Sequence, residues 1–353
     1  MPKSIIVIFV SLLLLISCNK QDEFVKAKLI PTRIDSLKTT AEIEKYIGNT
    51  DSLYRKFTLL KVQDIFCGSC DTLLDKLADS LHIDFSWQKA DLDNNGYTDL
   101  LVTGTNKTYG SWNYDPKMEA EYSKEFNAFV LMNFGNSGIK TYDLTDGHYL
   151  TLVARIEYNG RQPFIAVYTP KVISVVDLHR REKTKSKLTF KFNDFIEYNP
   201  KPDTYDIEKV EYITTGCMGM CPVFSLNIGK DGNAAFVARD YNYTLPWQKG
   251  VLLNGTYKTK IKDKDLKELI DILEYTDFPN LKNDYHVPWT CDDTGAIKIT
   301  YNGGKTKTIV DYGAQGTYGL RKLHSVFHQL RLNREWKFVS KETPYNYDIF
   351  KGK

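Results

Sequence analysis

The chain is 353 residues long, 42% hydrophobic and 26% charged, with 22 glycines and 12 prolines. That mix is enough to fill sizeable cores, and it excludes a disordered tail or a fibre. Its 47 basic and 44 acidic residues leave a net charge of +3, too small over this length to argue for a nucleic-acid partner. An aromatic content of 13%, with 23 tyrosines, suits half-buried sheet surfaces and equally a glycan-binding face.

The chain opens on an apolar run, Ile5 to Ile16, that closes as Leu15-Ile16-Ser17-Cys18. The 13 residues 4–16 are too few to cross about 30 Å of hydrocarbon as a helix. A plain secretory signal would place small residues on both sides of its cleavage point, whereas a bulky Leu15 stands three before the cysteine. The arrangement resembles the lipobox of bacterial lipoproteins. The resemblance implies removal of residues 1–17, acylation of Cys18 by palmitate-type chains, and attachment to a membrane through that lipid. Asn19 to Glu23 lack the Asp directly after cysteine that retains some lipoproteins in the inner membrane. Lys20 followed by Asp22 and Glu23 is similar to the surface-export signal of certain Gram-negative lipoproteins. The implied location is therefore the outer membrane, lipid-anchored and exposed at the cell surface. Residues 18–40 are polar and rich in Lys and Asp, and are expected to form a tether.

A first α+β domain is expected over 41–202. Its reading begins with a strand at Phe57–Val62, followed by Cys67-Gly68-Ser69-Cys70 and a helix over Asp71–Leu81 with Leu73, Leu74, Leu77 and Leu81 on one face. A Cys-x-x-Cys pair between strand and helix is the arrangement that lowers a cysteine pKa in thioredoxin-like proteins, which would make the chain a membrane-tethered thiol-disulfide oxidoreductase. No βαβ pattern follows, so a structural disulfide is the preferred reading. Further strands are expected at Phe85–Ala90, Asp99–Thr103, Asn127–Phe134, Leu150–Tyr158, Phe164–Tyr168, Val172–Leu178 and Leu188–Phe192. Together they give one helix on a mostly antiparallel sheet. The basic run Arg180 to Lys187 falls between two of these strands and reads as a solvated hairpin loop.

Between the strands ending at Ala90 and beginning at Asp99 lies Asp91-Leu92-Asp93-Asn94-Asn95-Gly96-Tyr97-Thr98-Asp99. Oxygen side chains stand at loop positions 1, 3, 5 and 9 with glycine at 6, and the Tyr97 carbonyl adds another donor. A hard cation needs several oxygens converging within about 2.5 Å, so Asp91, Asp93, Asn95, Tyr97 and Asp99 are candidate Ca²⁺ ligands. Val102 occupies the position of an EF-hand's bidentate Glu, which excludes that motif. The loop resembles the calcium loops of propeller-type adhesion repeats, although one copy does not support a propeller. The alternative is a polar turn without metal.

Prolines in Asn199-Pro200-Lys201-Pro202-Asp203 mark a junction, and a second α+β domain is expected over 203–340, with a tail at 341–353. Strands are expected at Val210–Thr214, Val223–Ile228 and Ala234–Arg239. A helix from Asp263 to Tyr275 follows, then strands at Ala296–Tyr301 and Lys305–Tyr312 and a last helix carrying Leu320, Leu323, Phe327 and Leu330. Cys217-Met218-Gly219-Met220-Cys221-Pro222 precedes the second of these strands. Cys-x-Gly-x-Cys-Pro, with the hairpin, helix and Asp292 that follow, resembles a family of bacterial domains of unknown function over roughly residues 206–338. The matching residues are Cys217, Gly219, Cys221, Pro222 and Asp292, and no activity comes with the resemblance.

Six cysteines are present, so five remain once Cys18 is acylated and at least one is unpaired or shared. A Cys217–Cys221 bridge restricts the unfolded chain by about 2 kcal/mol and a Cys221–Cys291 bridge by about 4. Spacing does not choose between them. With Met218, Met220 and His286 the same cysteines form a soft-ligand cluster that would suit Cu(I), against which stands the oxidising environment of an exported chain. His324 and His328 lie one helical turn apart, without an acid partner in their helix, and read as core-edge histidines. No phosphate loop, Gly-x-Ser-x-Gly elbow or His-Glu-x-x-His segment occurs, and no organic cofactor is implied. The expectation is a non-enzymatic, lipid-anchored envelope protein that binds a protein or glycan partner.

Overall fold

The computed structural model describes residues 27–64, 72–107, 124–145, 152–172, 181–245, 249–285, 292–314, 316–332 and 335–351. The fold is α+β and mostly antiparallel, as expected. Its first half, however, contains two sheets where the sequence suggested one. In the first sheet, β3 (Asp99–Lys107) pairs along one edge with β1 (Thr58–Leu59) and β2 (Trp87–Ala90), and along the other with β4 (Lys124–Asn133), which β5 (Ile139–Asp143) follows. The second sheet runs in chain order through β6 (Val153–Asn159), β7 (Gln162–Val172), β8 (Arg181–Lys191) and β9 (Asp194–Glu197).

The two sheets pack face to face. Leu101, Ala128, Val130 and Met132 of the first share a core with Ile165, Val167, Leu188 and Phe195 of the second. The alternate residues Leu100, Val102, Phe129 and Leu131 face outward onto Ile43 and Ile47 of α2 (Thr40–Thr50). On the far side, Phe164, Ala166 and Tyr168 receive Leu74 and Ala78 of α3 (Thr72–Ser80). Strands covered on both faces carry continuous apolar runs rather than alternation, and Phe129 to Met132 are all fully buried.

Helix α2 is not among the expected elements, yet the sequence carries its signal. Thr39 accepts from the Glu42 amide at 3.3 Å and Glu42 accepts from the Thr39 amide at 3.1 Å, a capping box ahead of Ile43 and Ile47. Residues 27–40, expected as tether, also carry α1 (Arg33–Ser36) and bury Ile34 and Leu37 in the same core as α2. The basic run is another correction. Most of it is strand β8, paired with β7 from Ile165↔Leu188 to Val172↔Arg181. Its period-2 pattern explains this, since Lys185 and Lys187 are exposed while Leu188 is buried, and Lys185 reaches Glu157 at 3.3 Å. The expected strand Val172–Leu178 lies mostly outside the described residues.

The second half is an eight-stranded sheet in the order β14-β16-β15-β10-β11-β12-β13-β17. Its strands are β10 (Ile207–Thr214), β11 (Val223–Gly229), β12 (Asn233–Leu245), β13 (Lys249–Lys260), β14 (Asp284–Tyr285), β15 (Thr294–Tyr301), β16 (Lys305–Tyr312) and β17 (Lys337–Ser340). Four strands therefore precede the first helix, one more than expected. Helices α4 (Asp263–Tyr275) and α5 (Tyr318–Arg331) cover one face through Leu269, Leu273, Leu323 and Phe327. The opposite face is covered in part by the segment expected as a tail, where Ile349 is buried with Ile213 and Ala296, and Tyr345 donates to the Thr214 carbonyl. No helix among the described residues is long and apolar enough to cross a membrane.

One carboxylate ties the halves together. Glu197, the last residue of β9, accepts from the Tyr318 amide at 2.7 Å and the Gly319 amide at 2.8 Å, the first two free amides of α5. Thr317 takes the third, from Leu320, at 3.1 Å. Gly319 is required by the same junction, because a Cβ there would lie 2.3 Å from Thr276 at the end of α4. Beside it the Tyr318 hydroxyl donates to the Leu144 carbonyl at 3.0 Å, and Asn199 bonds both the hydroxyl and the carbonyl of Tyr275. Glu197→Ala leaves two helix amides without their acceptor and removes a charge from the positive end of the α5 dipole. It is expected to destabilise the protein by about 2 kcal/mol. Urea unfolding followed by far-ultraviolet circular dichroism checks this, and a midpoint equal to wild type would show that solvent replaces the carboxylate at no cost.

Candidate functional site

The connection between β2 and β3 is the aspartate-rich loop, held at its base by the Ala90↔Asp99 pair. Each of its carboxylates is fixed by backbone amides. Asp91 accepts from Asn95 at 3.0 Å and Gly96 at 2.9 Å, and Asp93 accepts from Asn95 at 3.3 Å. Asp99, fully buried, accepts from Leu92 at 2.7 Å and from Asn133 at 2.7 Å. Asn94 and Gly96 turn the chain with φ of 58° and 87°, in the left-handed region open to Asn and Gly.

The result is a convergence of charge. Oxygens of Asp91, Asp93 and Asp99 all lie within 4.8 Å of one another. Burial pushes the Asp99 carboxyl up to about 8, helped by the neighbouring Asp93 and Asp91, against the pull of the Asn133 and Leu92 amides. Burial and the charge of Asp91 likewise push Asp93 up to about 6. A carboxylate oxygen that accepts one amide retains a second lone pair, so the amide bonds orient these groups without consuming them as ligands. Asn95 joins the cluster through its Nδ2, which donates to Asp93 at 3.0 Å and to the Asn133 carbonyl at 2.9 Å, while its Oδ1 takes the Tyr97 amide at 2.8 Å.

Two parts of this site are invisible to local sequence reading. Asn133 reaches Asp99 only because β4 pairs with β3, with Leu100 opposite Leu131. The N-terminal segment crosses the loop from the other side. The Ala27 amide donates to Asn94 at 2.8 Å, the Ile30 amide to the Gly96 carbonyl at 2.8 Å, and the Thr98 hydroxyl to Asp35 at 2.6 Å. A cavity of about 240 Å³ opens there, lined among others by Lys89, Asp91, Asn94, Tyr158 and Arg161.

Cys217 and Cys221 form a disulfide. This removes both thiolates from the Cu(I) reading and leaves the Met218 thioether 84% exposed. Thr214 steadies the loop's exit, donating to the Pro222 carbonyl at 2.7 Å and accepting from the Phe224 amide at 3.1 Å. Cys18, Cys67, Cys70, His286 and Cys291 lie outside the described residues. His324 is buried and His328 half-buried, consistent with core-edge histidines. His324 pairs with the Tyr212 hydroxyl at 3.0 Å and with Asp311 at 3.2 Å, so its acid partner comes from β16 rather than from its own helix.

These features divide between an α+β unit carrying the aspartate loop and a second one carrying the disulfide and the two histidines of α5. Residues 208–331, from β10 to the end of α5, match the family described as domain of unknown function (DUF6438). The match falls inside the stretch expected from the sequence. Comparisons with curated proteins and with solved structures found no match.

Burial pushes His328 down to about 4, with the charge of Arg331 acting in the same direction. Its folded value therefore lies below the usual 6.5 or so of an unfolded chain. The neutral ring contributes stability that is complete above pH of about 6.5 and lost as pH falls toward about 4, with a slope of up to about 1.4 kcal/mol per unit. Replacing His328 with Gln is expected to flatten that slope in urea melts recorded across this window; an unaltered slope would assign it to other groups.

Proposed function

We propose that this protein is a lipid-anchored, non-enzymatic binding protein of the bacterial outer envelope whose aspartate loop holds Ca²⁺. The observation that carries the cation is the convergence of Asp91, Asp93 and Asp99. Three carboxylates brought together and largely removed from water repel one another, and a divalent ion supplies the countercharge they lack. Hard oxygen donors on a short loop select Ca²⁺ over softer metals. Asp91, Asp93 and Asp99 would bind it, with Asn95 and the Tyr97 carbonyl completing the set. The neighbouring cavity, with the exposed Tyr158 at its edge, offers a glycan or protein partner a place beside the ion. The lipobox resemblance at Leu15 to Cys18 supports the anchor, and the Cys217–Cys221 disulfide is consistent with an oxidising compartment.

Sites of this kind outside the cell have dissociation constants of about 10⁻⁴ to 10⁻³ M. At about ten times that concentration the ion adds roughly 1.4 kcal/mol, which corresponds to a rise of about 3–6 °C in melting temperature. Asp93→Ala is expected to abolish the rise, since it removes a ligand and no core volume. Melts of both proteins in calcium and in chelator decide the matter, and a wild-type midpoint that ignores calcium returns the loop to a polar turn.

The anchor has its own test. Cys18→Ala removes the acylation site, and durable anchoring depends on acyl chains that contribute about 0.8 kcal/mol per buried CH₂. The variant is expected to remain unprocessed or to leave the detergent phase. Partitioning indistinguishable from the parent would rule out lipidation.

A further inference from the structure

Arg331, the last residue of α5, is only 8% exposed, yet its guanidinium has no carboxylate partner among the described residues. Its Nε is buried without a hydrogen bond, and its Cζ lies over the Phe224 ring, 5.6 Å from the centroid. Burial drives its pKa down, but a guanidinium keeps its proton at any physiological pH, so the site carries a desolvated cation. The carbonyl end of α5 offsets part of that charge and supplies nothing to Nε. Buried cations in native proteins are paired, and one that is not marks a place where an anion is missing.

Arg331 also lines a cavity of about 410 Å³. Leu245 of β12, Leu253 and Tyr257 of β13, and Leu332 and Trp336 beyond α5 form its apolar walls. The polar atoms of those walls are already engaged: the Trp336 indole donates to the Leu330 carbonyl at 3.0 Å and the Tyr257 hydroxyl to Asn254 at 3.3 Å. Thr244, which also lines the cavity, accepts from the Val251 amide at 2.9 Å. Among the described residues, what remains is ring and aliphatic surface with a single positive charge. Concave sites of this size take small ligands, with apolar walls supplying affinity and one polar group fixing orientation.

We propose that this cavity in the DUF6438 domain binds a carboxylate carried on an apolar or aromatic body, the carboxylate bonding Arg331 and the body lying between Leu253, Tyr257 and Trp336. A planar guanidinium matches a planar carboxylate through paired hydrogen bonds. A monoanion neutralises the cation, whereas a doubly charged phosphate would bring a second charge that no described residue lining the cavity answers. The chemistry is shared by free aryl-alkyl acids and by the C-terminus of an apolar peptide.

Binding to the purified protein is measured by calorimetry and by quenching of Trp fluorescence, with Trp336→Phe assigning the signal. The probes are 4-phenylbutyrate, its amide, and acetyl-Ala-Ala-Phe with a free or an amidated C-terminus. Each acid is expected to bind at least about tenfold tighter than its amide, because the amide leaves Arg331 without its anion. Tighter binding of phenylbutyrate than of the peptide acid would identify a small acid as the ligand, and the reverse order a protein terminus. Arg331→Met, close in length and uncharged, is expected to erase the preference for the acid, and Arg331→Lys to retain a reduced one. Equal affinities of acid and amide for the wild-type protein, or no binding of any probe up to about 10 mM, would overturn the proposal, and neither result depends on how well the variants fold.

Discussion

The two halves of this protein are joined through the N-terminus of α5, where the carboxylate of Glu197 replaces the acceptors that a helix cannot provide for its own first amides. A carboxylate in this position is favoured twice, by hydrogen bonding and by the positive end of the helix dipole. The consequence reaches beyond the helix. Glu197 ends the second sheet, α5 covers the third, and Gly319 at the contact lets Thr276 at the end of α4 close against it. Tyr275, the last residue of α4, is in turn bonded by Asn199, two residues past Glu197, and faces the ring of Phe192 at 5.8 Å. A short stretch of chain therefore sets the position of both helices, and with them the core of the DUF6438 domain.

A comparable dependence governs the aspartate loop. Its carboxylates are held by its own amides and by that of Asn133, but its outer surface is bounded by the N-terminal segment, through Ala27, Ile30 and Asp35. Lys89, at the end of β2, adds a bond to the Leu37 carbonyl at 2.5 Å. At Gly96 a side chain would meet the Lys28 carbonyl at 2.9 Å, so the glycine serves both the turn and the close passage of that segment. The stretch that leads from the chain's start into the first core thus forms one wall of the candidate site.

Local charge excess of opposite sign marks the two halves. Around Asp91, Asp93 and Asp99 negative charge is concentrated and partly desolvated; around Arg331 a single positive charge is buried in an apolar setting. Folding by itself gains nothing from either arrangement, because desolvation of an uncompensated charge opposes it. The disulfide loop and the pair of histidines differ in this respect. His324 is satisfied on both ring nitrogens by Tyr212 and Asp311, and His328 is held neutral, so these residues close a core.

The sequence alone determined whatever depends on neighbours along the chain. The β3 and β4 runs are apolar, which marks them as strands; the leucines of α4 and α5 recur at helical spacing; the alternation of Asp and Asn around Gly96 marks the aspartate loop, whose internal hydrogen bonds span no more than eight residues. The capping box at Thr39 was equally local and could have been read. Tertiary structure alone decided what depends on partners distant in the chain. A two-sided apolar strand is compatible with one sheet or two, and only the packing of β4 against β7 chose two. The lysines of β8 looked like a loop because their alternation has meaning only beside Glu157 and the rings of Phe164 and Tyr168. Asn133 meets Asp99 through sheet register, Glu197 meets Tyr318 across 121 residues, and the buried Nε of Arg331 meets no acceptor among the described residues. Hydrogen bonding and charge act over a few ångströms, and the chain brings distant residues within that range only when the sheets have formed.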